Sequence, residues 1–306
     1  MTAAATPATV PLSVVILTYK RPEELAGALE SVLAQDVPPD EIIIYDDDPA
    51  GSARQVAPEG DTRIRYVCIG QNLGPAGARA RAVAETRGEL LLFIDDDCRF
   101  ATPTVSATVL ELFQTQTIGL GVFLVRNAFT GKIDPKEYPG YSTQLWEEPH
   151  AVSYFVASGF AVRRTAYDAV GGFDGVLYHG EEELDLSFRL VNAGWTLWYS
   201  PELAVDHRVS PLGRDTIQRV YQLTRNRIYL AVKHLPCPFM LSHLLLWGGF
   251  ITLKALRQRQ LAELARGLRS LWRDGLWGQA WRYRRAHPMT RQAYQYLREH
   301  EGRLLY

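Results

Sequence analysis

The sequence predicts an α/β protein with a mainly parallel central sheet and a helical extension at its C-terminal end. Three observations carry that prediction. Apolar runs of strand length alternate with segments of helical periodicity over the first hundred residues, two of those runs end in blocks of aspartate, and from about residue 212 the pattern is helical throughout.

LSVVILT (12–18) is an unbroken apolar run of the kind that sits in a sheet covered on both faces. Pro22 then stands where a first-turn proline belongs, and Leu25, Ala28, Leu29, Val32 and Leu33 recur at helical spacing. EIIIYD (41–46) reads as a second strand, IRYVC (64–68) as a third, PAGARARAVAET (75–86) as a helix and ELLLFID (89–95) as a fourth strand. A helix near 103–115 and a strand near 118–125 follow, then a loop rich in Gly, Pro and Tyr from about 127 to 150. YFVASGFAVRR (154–164) is expected as a strand, GGFDG (171–175) as a turn, and ELDLSFRLVNAG (183–194) as a helix stopped by Gly194. The expected divisions are a loose tail over 1–10, an α/β unit over 11–211 and a basic, Trp-rich helical extension over 212–306.

A chain of 306 residues with 47% hydrophobic content can fill a sizeable core. Three scattered cysteines form neither a disulfide framework nor a CxxC metal or redox pair, which fits a reducing cytosol. MTAAATPATVPLS lacks the charged start and apolar core of a signal peptide. Net charge is −1, but residues 251–306 carry 12 Lys/Arg against 4 Asp/Glu. An acidic body suited to metal ions therefore precedes a basic tail suited to an anionic surface.

Ligands of open α/β sheets bind beyond the carboxyl ends of the strands, and here two strands end in acid: EIIIYDDD and LLLFIDDD. Carboxylates about 4 Å apart repel by roughly 1 to 4 kcal/mol under partial screening. A hard divalent cation would relieve that repulsion. In extended chain Asp95 and Asp97 would point one way and Asp96 the other, a D-x-D arrangement that suits Mg²⁺ or Mn²⁺ with substrate phosphates completing the shell. After the first strand, LTYKRPEE contains neither G-x-G-x-x-G nor a P-loop, so no glycine-rich loop is available to hold a diphosphate. GEEELDLSFRL (180–190) places Glu182, Glu183 and Asp185 in the first turns of a helix, where the macrodipole favours them and Asp185 can pair with Arg189; a carboxylate on that rim could also serve as a general base. His207, in AVDHRVS, ends a further strand, where a lone histidine is more often a satisfied core residue than a ligand.

These segments, in this order, resemble the inverting glycosyltransferases of family 2, which have the nucleotide-sugar-binding GT-A fold. The resemblance runs over roughly residues 11 to 210: SVVILTYKRPEELAGALESVLAQ matches the opening strand and helix, EIIIYDDD the uridine-contacting strand, NLGPAGARARA the nucleotide-side loop and helix, FIDDDC the D-x-D, and VGGFDG with GEEELDLSFRL the acceptor-side turn and catalytic helix. It implies that Thr18, Tyr19 and Asp47 lie near the nucleoside, with Arg79 on the nucleotide side and Asp96 at the ribose. It further implies that Asp97, with Asp95 directly or through water, holds Mg²⁺ or Mn²⁺ against the donor diphosphate, and that His207 completes that site. Glu183 falls where the family places its catalytic base, and with three consecutive glutamates Glu182 is a competitor one residue away. Asp48 and Ala80 depart from the glycine and asparagine common at those places, while RVYQLTRNRIYLAVKH (219–234) resembles the helix after the catalytic domain in bacterial, rhamnosyltransferase-like members that build surface polysaccharides.

The expected partners are a nucleotide-diphosphate sugar donor and a glycan or lipid-linked acceptor, with the aromatics of the 127–150 loop available to stack on acceptor sugars. FMLSHLLLWGGFITL (239–253) is apolar but, at 15 residues, shorter than the roughly 20 of a membrane span; with the basic, Trp-containing segment after it, it suits peripheral attachment to an anionic membrane on the cytoplasmic side. No nucleic-acid-binding motif accompanies the charge, so nucleic acid is not an expected partner. Two rivals share parts of this pattern: a sugar nucleotidyltransferase, whose glycine-rich, Arg-containing opening loop is absent here, and a non-catalytic membrane-associated or carbohydrate-binding protein on the same fold.

Overall fold

The computed structural model describes residues 10–140, 145–209 and 218–302; the expected tail over 1–10 lies almost wholly outside the described residues, as does the start of the extension at 212–217. The strands are β1 (Leu12–Thr18), β2 (Glu41–Asp46), β3 (Ile64–Val67), β4 (Leu90–Asp95), β5 (Cys98–Phe100), β6 (Ile118–Asn127), β7 (His150–Val152), β8 (Gly159–Arg163) and β9 (Thr196–His207). They form one sheet in the order β3-β2-β1-β4-β8-β6-β9-β5, with β7 on β9. The β3-β2-β1-β4 half is parallel throughout and β6 runs parallel to β9, while β8, β5 and β7 are antiparallel to their neighbours.

Side-chain alternation along the central strands splits the core into two layers. Val15, Ile43, Tyr45, Leu91 and Phe93 face one cluster, where Ala76, Ala78 and Ala82 of helix α2 (Gly74–Val83) meet Leu184, Leu186 and Leu190 of α5 (Glu182–Asn192). Leu12, Val14, Ile16, Ile42, Ile44, Leu90, Leu92 and Ile94 face the other, covered by α1 (Pro22–Leu33) and α3 (Val105–Leu112). Apolar residues on both faces explain why these strands read as unbroken hydrophobic runs.

The expected strand over 154–164 is shorter, beginning at Gly159. Its pairing with β4 runs from Leu90↔Arg163 to Ile94↔Gly159 and stops where β4 turns acidic, leaving residues 154–158 to cross the sheet end as loop. A short α4 (Arg164–Ala169) follows β8.

The extension comprises α6 (Gln218–His234), α7 (Cys237–Arg257), α8 (Leu261–Arg273), α9 (Leu276–Ala286) and α10 (Arg291–Glu299). Tyr229, Leu230, Ala231 and Val232 of α6 belong to the same apolar cluster as the sheet. α7 is 21 residues long, extending the 15-residue apolar run at both ends, and among the described residues it is the one helix long and apolar enough to cross a membrane. One side of it, with Met240, His243, Ile251 and Ala255, is buried against the protein, whereas Leu241, Leu245, Leu246, Phe250, Leu253 and Leu256 are exposed.

α5 and α6 are joined by buried charge. Asp185, fully buried, accepts from Arg189 Nε and Nη2 at 2.9 and 2.6 Å, from His234 Nε2 at 2.8 Å, and pairs with Lys233 Nζ at 2.7 Å. Lys233 also reaches Asp174 at 2.7 Å. The i,i+4 pair expected between Asp185 and Arg189 is thus one arm of a larger network.

Asp185→Leu leaves two buried cations without their common partner, and equilibrium unfolding is expected to show a loss of about 3–5 kcal/mol. Burial, outweighing Asp185, lowers the His234 imidazole from 6.5 to about 4. The unfolded chain takes up that proton near 6.5, so between pH 6.5 and 4 the unfolded state holds more protons and stability falls as pH falls. Asp185 is held well below its ordinary range, as Arg189 and Lys233 overcome the opposing effect of burial, so its contribution is lost only at still lower pH. Across this range the unfolding midpoint of the native protein should fall relative to that of His234→Gln, which lacks the titrating ring.

Candidate active site

Parallel register brings the acidic strand ends to one edge: Thr18 lies beside Asp46 and Leu17 beside Asp95. β4 ends at Asp95, and Asp96 and Asp97 leave it in a turn, so the extended-chain alternation expected for the three aspartates does not hold beyond the first. Each is instead met separately. Asp95 Oδ1 accepts from Arg79 Nη2 at 2.7 Å. Asp96, 3% exposed, accepts from Thr18 Oγ1 at 2.8 Å, Tyr19 N at 3.3 Å and Arg21 Nη1 at 2.9 Å. The same Arg21 nitrogen donates to Asp97 Oδ2 at 3.0 Å. The repulsion assigned from sequence to a cation alone is relieved in large part by two guanidinium groups. Burial still pushes the Asp96 carboxyl up to about 7, against the pull of Arg21.

On the β2 side, Asp46 is structural: buried, it accepts from Asp48 N at 2.9 Å, Ala53 N at 3.0 Å and Tyr66 Oη at 2.6 Å. Asp47 holds the loop before α2, accepting from Leu73 N and Gly74 N at 2.8 Å each, and burial outweighs those bonds to raise it to about 6. Thr18, the half-buried Tyr19 and Asp47 therefore share one end of the sheet. Arg79, expected on the nucleotide side, lies beneath the rim at 3% exposure between Asp95 and Glu182.

His207 ends β9, and the antiparallel register Cys98↔His207 sets it beside Asp97. Its Nε2 is 3.5 Å from Asp97 Oδ1 and its Nδ1 is 2.7 Å from Glu137 Oε1. A histidine oriented by a carboxylate on one nitrogen and free to face a cation with the other is the usual arrangement of a metal ligand. Although burial lowers its pKa, the bonds to Asp97 and Glu137 raise it to about 9, so the pocket draws positive charge. Asp97, Cys98 and His207 bring their ligand atoms within 4.8 Å of one another. Burial, reinforced by Asp97, holds the Cys98 thiol well above its ordinary value, and a carboxylate and an imidazole are the members of this set that a hard cation prefers. That donor set fits Mn²⁺ or Mg²⁺. Of the three expected ligands, Asp97 and His207 meet, while Asp95 pairs with Arg79.

The two candidate bases start α5. Glu182 is 4% exposed, with Oε1 3.4 Å from Arg79 Nη1 and Oε2 without a hydrogen-bond partner in the protein. Glu183 is half-buried beside it. Burial raises both carboxyls, Glu182 further through the Glu183 charge, and Arg79 opposes the shift in each.

Two residues that sequence reasoning did not single out belong to the cluster: Arg21 and Glu137. Arg21 and Glu137 act across 75 and 70 residues of sequence, separations that no local pattern reports. Of the loop aromatics expected to stack on sugars, Phe129 is 71% exposed and Trp146 is half-buried. Tyr138 is buried, its ring centroid 5.7 Å from that of Trp146 and 5.4 Å from that of Tyr199. Tyr141 lies outside the described residues.

The family model described as glycosyl transferase family 2 matches residues 13–171, just over half of the chain. A galactofuranosyltransferase of Mycolicibacterium smegmatis is 28% identical over 202 residues, covering 59% of this chain and 65% of that protein. An N-acetylglucosaminyl-diphospho-decaprenol L-rhamnosyltransferase of Mycobacterium tuberculosis is 32% identical over 122 residues, 38% of this chain and 36% of that one. The chain thus spans less than two thirds of the length of these relatives. Among solved structures, a mannosyltransferase of Pyrobaculum calidifontis in complex with GDP-Man and Mn²⁺ superposes with a TM-score of 0.57 at 19% identity, covering 95% of this chain and 86% of that one, which establishes a shared GT-A fold. By its sequence match, supported by that fold, this chain belongs to glycosyl transferase family 2.

Proposed function

We propose that the protein is a metal-dependent, inverting hexosyltransferase that moves a sugar from a nucleoside-diphosphate donor to an acceptor hydroxyl in bacterial surface glycan synthesis. The observation that carries this reading is the meeting at one sheet edge of three features: the Thr18–Asp96 and Asp47 end, the Asp97–His207–Glu137 cluster, and the paired glutamates of α5. Thr18, Tyr19 and Asp47 seat the nucleoside, and Asp96 meets the ribose. Asp97 and His207 would hold Mg²⁺ or Mn²⁺, with Asp95, whose carboxylate is engaged by Arg79, directly or through water. When bound, the cation supplies neutralisation of the charge that develops on the leaving diphosphate.

Glu183 is the base, because it is the more exposed of the pair while Glu182 is enclosed behind it against Arg79. It takes the proton of the acceptor hydroxyl as that oxygen bonds to the anomeric carbon; the bond from that carbon to the diphosphate oxygen breaks and its electron pair leaves with the nucleoside diphosphate. One displacement inverts the configuration. The raised pKa that burial gives Glu183 makes it a stronger proton acceptor, and Arg79 opposes that rise. The base contributes about 10² to 10⁴ to the rate, and positioning supplies most of the remainder.

The acceptor on this reading is lipid-linked and met at the cytoplasmic face of the cell membrane. The exposed row Leu241, Leu245, Leu246, Phe250, Leu253 and Leu256 continues to Leu261, Leu268, Trp272 and Trp281 in the net-positive extension. Because the opposite side of α7 is packed on the protein, the helix lies along the membrane surface rather than across it. The competing reading, burial of this row against a second subunit, lacks the accompanying excess of positive charge as a reason.

Glu183→Gln should leave nucleoside diphosphate affinity, measured calorimetrically, unchanged while transfer falls by two orders of magnitude or more; Asp97→Asn should lower both. If Glu182→Gln gives the first pattern and Glu183→Gln does not, the base is one residue earlier. An Asp97→Asn protein with normal metal-dependent turnover contradicts the metal assignment.

Vesicle flotation tests the membrane reading. Binding should require anionic lipid, weaken as salt is raised, and fall at least tenfold in Leu245→Glu/Phe250→Glu; an intact protein that ignores anionic vesicles at every salt concentration contradicts it.

A further inference from the structure

Between the GGFDG turn and α5 the backbone takes a shape that ordinary residues avoid. Tyr178 has φ 57° and ψ −71°, and His179 N donates to Leu177 O at 2.7 Å, closing a γ-turn of the rare, strained kind around the tyrosine. Three residues later Glu181 is also left-handed, at φ 75°.

The strain is held from two sides. Asn226 of α6, fully buried, directs its amide at the carbonyls of Leu177, His179 and Gly180, at 2.8, 3.1 and 2.8 Å. On the other side Ala76 N donates to Tyr178 O at 3.0 Å, and the phenol donates to Asn72 Oδ1 at 2.8 Å. The ring lies against Gly74 so closely that a Cβ there would come within 2.6 Å of Tyr178 Cδ2. Gly74 N is also one of the two amides that Asp47 accepts from. A residue of the acceptor-side loop is thus planted on the donor-side loop, and its ring stays 38% exposed. Its contact with Gly74, whose amide donates to Asp47, sets it beside the proposed nucleoside pocket.

A loop that only needed to connect the turn to α5 would place glycine at such a conformation, as this chain does at Gly171, Gly172 and Gly180. We infer that Tyr178 is a donor-binding residue whose aromatic face walls the nucleoside pocket and stacks on the base or ribose of a nucleoside diphosphate, the γ-turn serving to present it. The inference rests on the donor site proposed above and adds to it a specificity-determining side chain.

The test titrates UDP, GDP and dTDP, each with Mn²⁺, into the full-length native protein, Tyr178→Gly, Tyr178→Leu and Tyr178→Phe, with unliganded thermal unfolding alongside. For whichever nucleotide the native protein binds, Tyr178→Gly and Tyr178→Leu should each weaken Kd by about tenfold or more through loss of stacking, whereas Tyr178→Phe should stay within about threefold. Tyr178→Gly relieves the backbone strain, so its unfolding temperature should hold or rise while binding falls, a combination that a purely structural tyrosine does not give. Native binding with an unchanged Kd in Tyr178→Leu overturns the role of Tyr178 and leaves the donor site standing. Native protein that binds none of the three nucleotides overturns the donor-site reading, and this inference with it.

Discussion

Negative charge buried at the ends of parallel strands is the constraint around which this molecule is built. Asp96 and Asp97 are each 3% exposed, and at an effective dielectric of 20 two such charges 4 Å apart cost about 4 kcal/mol. Arg21 answers both with one nitrogen, and Arg79 answers Asp95 on one side and Glu182 on the other. Arg79 is therefore the tie between the D-x-D turn and the start of α5. The two halves of the proposed chemistry, leaving group and base, keep their spacing through a guanidinium group that is itself almost wholly buried. Asp97, which shares Arg21 with Asp96, also faces His207 at 3.5 Å.

Distant elements hold this edge in place. The β5–β9 register sets His207 against Asp97, and Glu137, from the 3₁₀ turn after β6, orients the ring. Behind α5, the α6 helix supplies Lys233 and His234 to Asp185, Arg227 to Glu181 at 2.6 Å and Asn226 to the preceding loop. The extension thus acts on the site as well as on whatever its exposed apolar row meets. α6 grips α5, and α7 follows it in the chain.

Local pattern made the first hundred residues legible. The strands expected over 12–18, 41–46 and 89–95 are found within a residue of those limits, because runs buried on both faces are unambiguous and their polar ends abrupt. Reasoning from alternation failed at Asp96 and Asp97, since it assumed a strand that the loss of a pairing partner had already ended. It overran at 154–158 for the same reason. Asp97 and His207 meet across 110 residues of sequence, a proximity that spacing alone left undecided. Arg21 and Tyr178 stood in plain sight as letters. What makes them part of the site is a salt bridge across 75 residues and a strained turn held by Asn226, neither of which has a sequence signature.

The central claim is that this acidic edge transfers a sugar from a nucleoside diphosphate with a cation as partner. Its most direct test is incubation of the purified chain with a panel of nucleotide sugars and membrane lipid extract, following nucleoside diphosphate release with Mn²⁺, with Mg²⁺ and with chelator. The account predicts release from one donor that requires the added cation, and a product of inverted anomeric configuration by NMR. Release that persists in chelator, retention of configuration, or liberation of pyrophosphate in place of nucleoside diphosphate would contradict it.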